Sequence, residues 1–254
     1  MCLDCGCVLS GPARIDGRTA VLPHVDLSRA VPANHPSTVQ VHADLLAPNR
    51  RAAEANRARW RGLGLLSINV VSSPGAGKTT LLSRTIERLA PTHAAGVVVG
   101  DLETDNDARR LRAAGAPAVQ IATGTLCHLD AALVAEAASG LPLADLDLLI
   151  IENIGNLVCP ADFDLGEDLR VTLLAVTEGE DKPLKYPPIY RNADVVLVTK
   201  TDLAAACGFD RDAAMASIRT VNPRARIIEL SSRSGDGMDA WCGLLREHMA
   251  TATA

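Results

Sequence analysis

An apolar run over residues 65–72 ends in Ser72-Ser73-Pro74-Gly75-Ala76-Gly77-Lys78-Thr79-Thr80 and passes at once into helical periodicity over residues 79–89. A buried strand that turns through glycines into a helix is the setting a phosphate-binding loop requires. Such a strand also commits the chain to a sheet covered on both faces. The rest of the sequence agrees. Short apolar runs at 96–99, 119–121, 146–151, 171–177, 195–199 and 226–230 alternate with helical stretches at 105–114, 127–138, 213–220 and 238–248. This alternation predicts an α/β fold, a mostly parallel sheet with helices on both faces.

Ahead of that block the pattern changes. Residues 39–61 read as a helix ended by Gly62 and Gly64, whereas 8–38 hold Pro12, Pro23, Pro32 and Pro36 with little periodicity. The expected organisation is an N-terminal cysteine metal motif at 1–8, a flexible linker at 9–38, and a nucleotide-binding domain with a leading helix at 39–250. Composition narrows the function. The hydrophobic fraction of 48% and charged fraction of 22% are those of a soluble globular chain. No apolar run approaches the ~20 residues of a spanning helix, so membrane insertion is not expected. A net charge of −5 without a Lys/Arg block excludes nucleic acid as the expected partner. With only two each of Phe, Trp and Tyr, the core must be aliphatic and stacking platforms are missing. The start, MCLDCGCVLS, lacks the basic end and apolar stretch of a secretory signal, and the seven cysteines are an odd number. Together these read as thiol or metal chemistry in a reducing, cytoplasmic setting.

In the phosphate loop, Gly75 and Gly77 let backbone N–H groups turn inward, with Ala76 and Thr80 completing the run. Lys78 supplies charge to the outer phosphates, Thr79 a hydroxyl to Mg²⁺, and the helix N-terminus a favourable field. Ser72 stands where the strict pattern has its first glycine. Asp101, at the end of the second strand, can reach the magnesium shell or the attacking water. Glu152-Asn153-Ile154-Gly155 follows a buried strand as a switch would, with an acid at the strand end and a glycine amide toward the γ-phosphate. The expected catalytic set is therefore Lys78, Thr79, Asp101 and Glu152.

Thr199-Lys200-Thr201-Asp202 closes another strand. A carboxylate at Asp202 can accept from two neighbouring N–H donors of guanine, a pair adenine does not offer, while the Lys200 stem lies over the ring. Thr199 replaces the usual Asn, which predicts a weaker or different tether to the phosphate loop. The stretch from Ser231 to Gly237 suits a loop closing over the base.

Cys2-Leu3-Asp4-Cys5-Gly6-Cys7 places three thiolates within seven residues. If Met1 is removed, the α-amine of Cys2 completes four ligands; a tetragonal N/S arrangement suits Ni(II) or Cu(II), a tetrahedral one Zn(II). Cys127-His128 is expected to begin a helix. Cys159 lies seven residues beyond Glu152 and would ride on the switch, so a site built from Cys127, His128 and Cys159 would depend on the nucleotide. Cys207 and Cys242 read as structural.

These motifs together resemble the hydrogenase nickel-incorporation GTPases of the HypB family. The resemblance is carried by Cys2-x-x-Cys5-x-Cys7, Ser73-Pro74-Gly75-Ala76-Gly77-Lys78-Thr79 and Cys127-His128-Leu129-Asp130-Ala131. Two longer blocks add to it, Glu152-Asn153-Ile154-Gly155-Asn156-Leu157-Val158-Cys159-Pro160 and the run from Val176 to Pro187. It implies a P-loop NTPase of the dimerising class that hydrolyses GTP to GDP with Mg²⁺, slowly, and pairs two copies when GTP is bound. It further implies a tight Ni²⁺ site at Cys2, Cys5 and Cys7. A second site, at Cys127, His128 and Cys159, would take Ni²⁺ or Zn²⁺ at the dimer interface. The implied partners are the nickel protein HypA and the [NiFe]-hydrogenase large-subunit precursor, to which nickel is delivered. Some members carry a His-rich tract, and this chain has none. Two alternatives share features. A urease-type nickel-insertion GTPase has the same fold class but typically a Cys-Pro-His motif. A regulatory nucleotide switch would hydrolyse little and hold zinc only structurally.

Overall fold

The computed structural model describes residues 13–20, 38–101, 104–124 and 127–252, with residues 38–45 as backbone only. The strands are β1 (Arg14–Ile15), β2 (Arg18–Thr19), β3 (Leu66–Ser72), β4 (Ala95–Asp101), β5 (Ala118–Ala122), β6 (Leu148–Gly155), β7 (Leu169–Ala175), β8 (Val195–Thr199) and β9 (Arg226–Glu229). They form one sheet in the order β2-β1-β5-β4-β6-β3-β7-β8-β9. From β5 to β9 every pairing is parallel. The helices are α1 (Thr38–Gly62), α2 (Lys78–Leu89), α3 (Asn106–Ala113), α4 (Ala131–Ala138), α5 (Lys182–Lys185), α6 (Pro187–Arg191), α7 (Ala204–Cys207), α8 (Arg211–Val221) and α9 (Met238–Ala252). The mostly parallel α/β architecture follows from the alternating pattern. Among the described residues, no helix is long and apolar enough to cross a membrane.

Side-chain alternation along the strands builds cores on both faces. Ile68 and Val70 of β3 pack with Leu81 and Leu82 of α2 and Trp241 and Leu245 of α9. Trp241 can be fully buried because its indole Nε1 donates to the Thr85 hydroxyl at 3.0 Å. On the opposite face, Trp60 of α1 and Leu133 of α4 pack with Leu149 and Ile151 of β6. The intervening β3 residues Ser67 and Asn69 are polar and buried. Asp168 satisfies Ser67 at 2.8 Å, and Glu167 accepts from Asn69 at 3.1 Å.

Two expectations are corrected here. Part of the 9–38 linker is structured: β1 and β2 form an antiparallel ribbon, and β1 pairs with the edge strand β5, Arg14 opposite Ala122. Asp16 fastens the turn by accepting from the Gln120 N–H at 3.0 Å. Strands of two residues carry too little periodicity to be seen in sequence. Second, residues 152–155, expected to follow the strand, are themselves the last four residues of β6. The β3–β6 register runs Val70 to Glu152 and then Ser72 to Gly155, so β6 carries one extra residue. Such a bulge re-aims side chains at a strand end.

Candidate functional site

The chain runs from β3 outward to β4 and β5, returns to β6 beside β3, and then continues on the other side through β7. This reversal leaves a crevice at the carboxyl ends of β3, β4 and β6, the place where open α/β sheets bind ligands. The phosphate loop fills its floor. Gly75 and Gly77 both have positive φ, 76° and 99°, which bends the loop around an opening of about 450 Å³. Gly75, Gly77, Lys78, Thr79, Thr80, Asp101 and Glu152 line that opening, so residues distant in sequence meet there.

Lys78 Nζ donates at 3.1 Å to the hydroxyl of Ser72, the residue standing where the strict pattern has glycine. Burial holds the Lys78 ammonium below its ordinary pKa, against the pull of Glu152. The Thr79 hydroxyl donates to Glu152 Oε1 at 2.7 Å. Burial pushes the Glu152 carboxyl up to about 7, opposed by that bond and by Lys78. Its other oxygen, Oε2, is buried without a hydrogen-bond partner among the described residues. A cation beside Thr79 would satisfy it, so the residues present fit Mg²⁺. Asp101 sits at the rim and accepts from Thr104 at 2.6 Å.

Sequence reasoning missed three neighbours. Arg110 of α3 donates to the Thr80 hydroxyl at 2.9 Å, and Asp107 lines the same opening. Glu178 hydrogen-bonds Ser73 in the phosphate loop. The i, i+3 spacing of Asp107 and Arg110 was the available signal for the first two.

Beside this opening lies a second, about 220 Å³, lined by Ala76, Gly77, Thr199, Lys200, Asp202 and Ser231. Here Thr199 supplies a tether to the loop through a hydroxyl in place of the usual Asn amide. That hydroxyl, buried, donates to the Ala76 carbonyl at 2.9 Å. Lys200 runs back along Gly77 and donates to the Gly75 carbonyl at 2.6 Å. Asp202 accepts from Ser231 at 2.6 Å, and the Ser231 oxygen accepts from the N–H groups of Arg233 and Ser234. The carboxylate is thereby oriented by a rigid turn.

The third cluster is the sulfur one. Cys127, His128 and Cys159 each bring a ligand atom within 4.8 Å of the others. Cys127 Sγ lies 3.8 Å from His128 Nδ1. The His128 ring stacks on Phe163, centroids 3.9 Å apart, and burial lowers its pKa to about 4. A neutral imidazole and two thiols form a donor set suited to a borderline or soft cation. Cys127-His128 does not begin a helix: α4 starts at Ala131, because Asp130 is extended and caps it by accepting from the Leu133 N–H at 2.8 Å. Cys127 and His128 thus sit on an irregular segment ahead of the helix. Cys159 opens a short 3-10 turn four residues past the end of β6. Cys2, Cys5 and Cys7 lie outside the described residues. Of the cysteines read as structural, Cys242 is buried but Cys207 is exposed.

Fold and site define a P-loop nucleotide-binding protein with a sulfur–imidazole cluster beside the phosphate end of the sheet. Residues 66–229 match the family model described as CobW/HypB/UreG, nucleotide-binding domain. A hydrogenase maturation factor HypB from Azotobacter chroococcum is 54% identical over 203 residues, covering 80% of this chain and 67% of that protein. The crystal structure of hydrogenase maturation factor HypB from Archaeoglobus fulgidus superposes with a TM-score of 0.75 at 43% identity, over 80% of this chain and all of that one. HypB from Helicobacter pylori, solved in complex with nickel, gives 0.77 at 37% identity, over 81% of this chain and 96% of that one. The chain belongs to the HypB family of hydrogenase maturation factors.

Proposed function

We propose that this protein is a GTP-hydrolysing nickel metallochaperone that delivers Ni(II) to the large-subunit precursor of a [NiFe]-hydrogenase. The observation that carries the reading is the convergence of Cys127, His128 and Cys159 within 4.8 Å, with Cys159 attached to the strand that also presents Glu152. The nickel complex of the Helicobacter relative supports the same cargo.

Lys78 and the loop N–H groups neutralise the outer phosphates, and Asp202 with Lys200 selects guanine. Thr79, Asp101 and Glu152 would hold Mg²⁺, which supplies charge neutralisation to the phosphates. Glu152 and Asp101 orient the attacking water. Turnover is low in this reading, which leaves one copy to supply only part of the groups that shield the γ-phosphate. GTP-dependent pairing of two copies completes them. Val158, 60% exposed beside Cys159, offers an apolar contact for the second copy. Three ligands leave one coordination position for solvent, the second copy or an acceptor, and zinc competes for the same site. Cys2, Cys5 and Cys7 bind nickel separately, HypA is a partner in transfer, and the protein acts in the cytoplasm.

Lys78→Ala tests the division of labour. GTP turnover is expected to vanish while the thiolate-to-nickel charge-transfer band of the N-terminal motif persists. Equal loss of nickel would mean the sites are not separable. A protein showing no such band at all would leave the regulatory zinc switch as the better description.

A further inference from the structure

Helix α1 has no part in the chemistry above, yet one face of it touches both segments that supply the sulfur–imidazole cluster. Asn49, Ala53, Asn56, Arg57 and Trp60 recur at helical spacing on that face. Asn49 uses both ends of its carboxamide. Its Oδ1 accepts from the N–H of Ala131, three residues after His128, at 2.8 Å. Its Nδ2 donates to the carbonyl of Asp164, the neighbour of Phe163, at 2.8 Å. Two turns along, Asn56 is buried, and its Nδ2 donates to the carbonyls of Ala131 at 2.8 Å and Leu165 at 3.0 Å. Arg57 adds an ion pair to Asp164 at 2.8 Å. Gly166 presses on the helix so closely that a Cβ there would stand 2.6 Å from that of Asn56.

The segment ending at Ala131 carries Cys127 and His128; the segment ending at Gly166 carries Cys159 and the Phe163 ring beneath His128. We infer that α1 sets the distance between these two ligand-bearing segments, with Asn49 and Asn56 as positioning residues for metal binding at Cys127, His128 and Cys159. The inference rests on the metal reading above. A carboxamide is suited to the task because it offers a donor and an acceptor on one rigid plane and can hold two chains at once. Metal–donor bonds of roughly 2.0–2.3 Å leave little tolerance for one arm moving relative to the other.

The test uses the full chain with Cys2, Cys5 and Cys7 changed to Ala, titrated with Ni(II) alone and followed by its thiolate charge-transfer band. Asn49→Ala and Asn56→Ala are each expected to weaken Ni(II) binding by roughly 10–100-fold and to shift the band, with GDP affinity unchanged. Trp60→Leu, on the same helix face but set in the core, controls for stability: it lowers Tm without moving Ni(II) affinity. Should Asn49→Ala not fold, Asn49→Asp retains the acceptor for Ala131 and lacks the donor to Asp164; it is expected to weaken binding in the same sense. Wild-type Ni(II) affinity in a folded Asn49 variant overturns the inference, as does an equal affinity loss in Trp60→Leu. A parent protein that binds no Ni(II) overturns the metal-site reading, and this one with it.

Discussion

A Cβ on Gly155 would stand 3.0 Å from both the nitrogen and the Cα of Pro74. The last residue of β6 therefore rests on the backbone of the phosphate loop. Three residues earlier Glu152 bonds the Thr79 hydroxyl, and four residues later Cys159 begins its turn. Loop and strand end are joined by packed backbone, which moves as a unit more readily than it deforms, and the thiol follows four residues further along the chain.

Gly155→Ala is expected to push the phosphate loop outward, because backbone atoms cannot swing aside as a flexible side chain would. Overpacking of this kind costs about 1–3 kcal/mol. Calorimetric titration with GDP should show about tenfold weaker binding, the equivalent of 1.4 kcal/mol. Wild-type affinity would mean that the loop yields at no cost.

Thr199→Val keeps the shape of the side chain and removes its hydroxyl, leaving the Ala76 carbonyl without its donor. An unsatisfied buried group costs about 1–3 kcal/mol. Tm and guanine-nucleotide affinity should fall together. Asp202→Asn is expected to act on selectivity instead. An amide donor there matches the carbonyl that xanthine carries in place of guanine's amine, so XTP should outcompete GTP in the variant. Unchanged preference for GTP would remove Asp202 from base recognition.

Cys159→Ala is expected to abolish the effect of GTP on metal affinity at the Cys127–His128 site, beyond weakening that affinity. Linkage is reciprocal: if GTP changes metal affinity, metal changes GTP affinity by the same factor. Ni(II) titrations with GDP and with a non-hydrolysable GTP analogue measure both. A wild-type protein whose metal affinity ignores the nucleotide would sink the coupling.

The Arg57–Asp164 pair predicts a pH signature. Burial pushes the Asp164 carboxyl up, but the Arg57 guanidinium and the Gly166 N–H outweigh it and hold it below the ordinary carboxylate range. A depressed folded-state pKa contributes stability that is fully present above the unfolded value, about 4, and is lost as pH falls through the folded value. Arg57→Met should therefore lower Tm most at neutral pH, and the difference from wild type should shrink as the solution is acidified below about pH 4. A Tm difference independent of pH would assign the loss to packing.

Much of the site was legible because its chemistry is local. The run from Gly75 to Thr80, the pair at Lys200 and Asp202, and Glu152 are each read within a few residues of a strand end. What was not legible depends on distant partners. Cys127-His128 was expected on a helix because 127–138 is apolar enough to continue one, and only the Asp130 cap delays it to Ala131. The ribbon of β1 and β2 exists because β5 offers it an edge. Phe163 gives no sign in sequence that it will lie under His128, nor Glu178 that it will reach Ser73.

Strand–loop–helix order, an aliphatic core and the residue types that handle phosphate, guanine and soft metals are properties of neighbouring residues, and the amino-acid order settles them through backbone preference and hydrophobic period. Only the folded chain decides that Cys159 meets Cys127 and His128, that Thr199 reaches Ala76, and that α1 ties both ligand segments together. These contacts span up to 123 residues of chain, as from Thr199 to Ala76, and nothing local can specify them. They arise when a twisted sheet with a mid-sheet reversal brings its strand ends into one crevice.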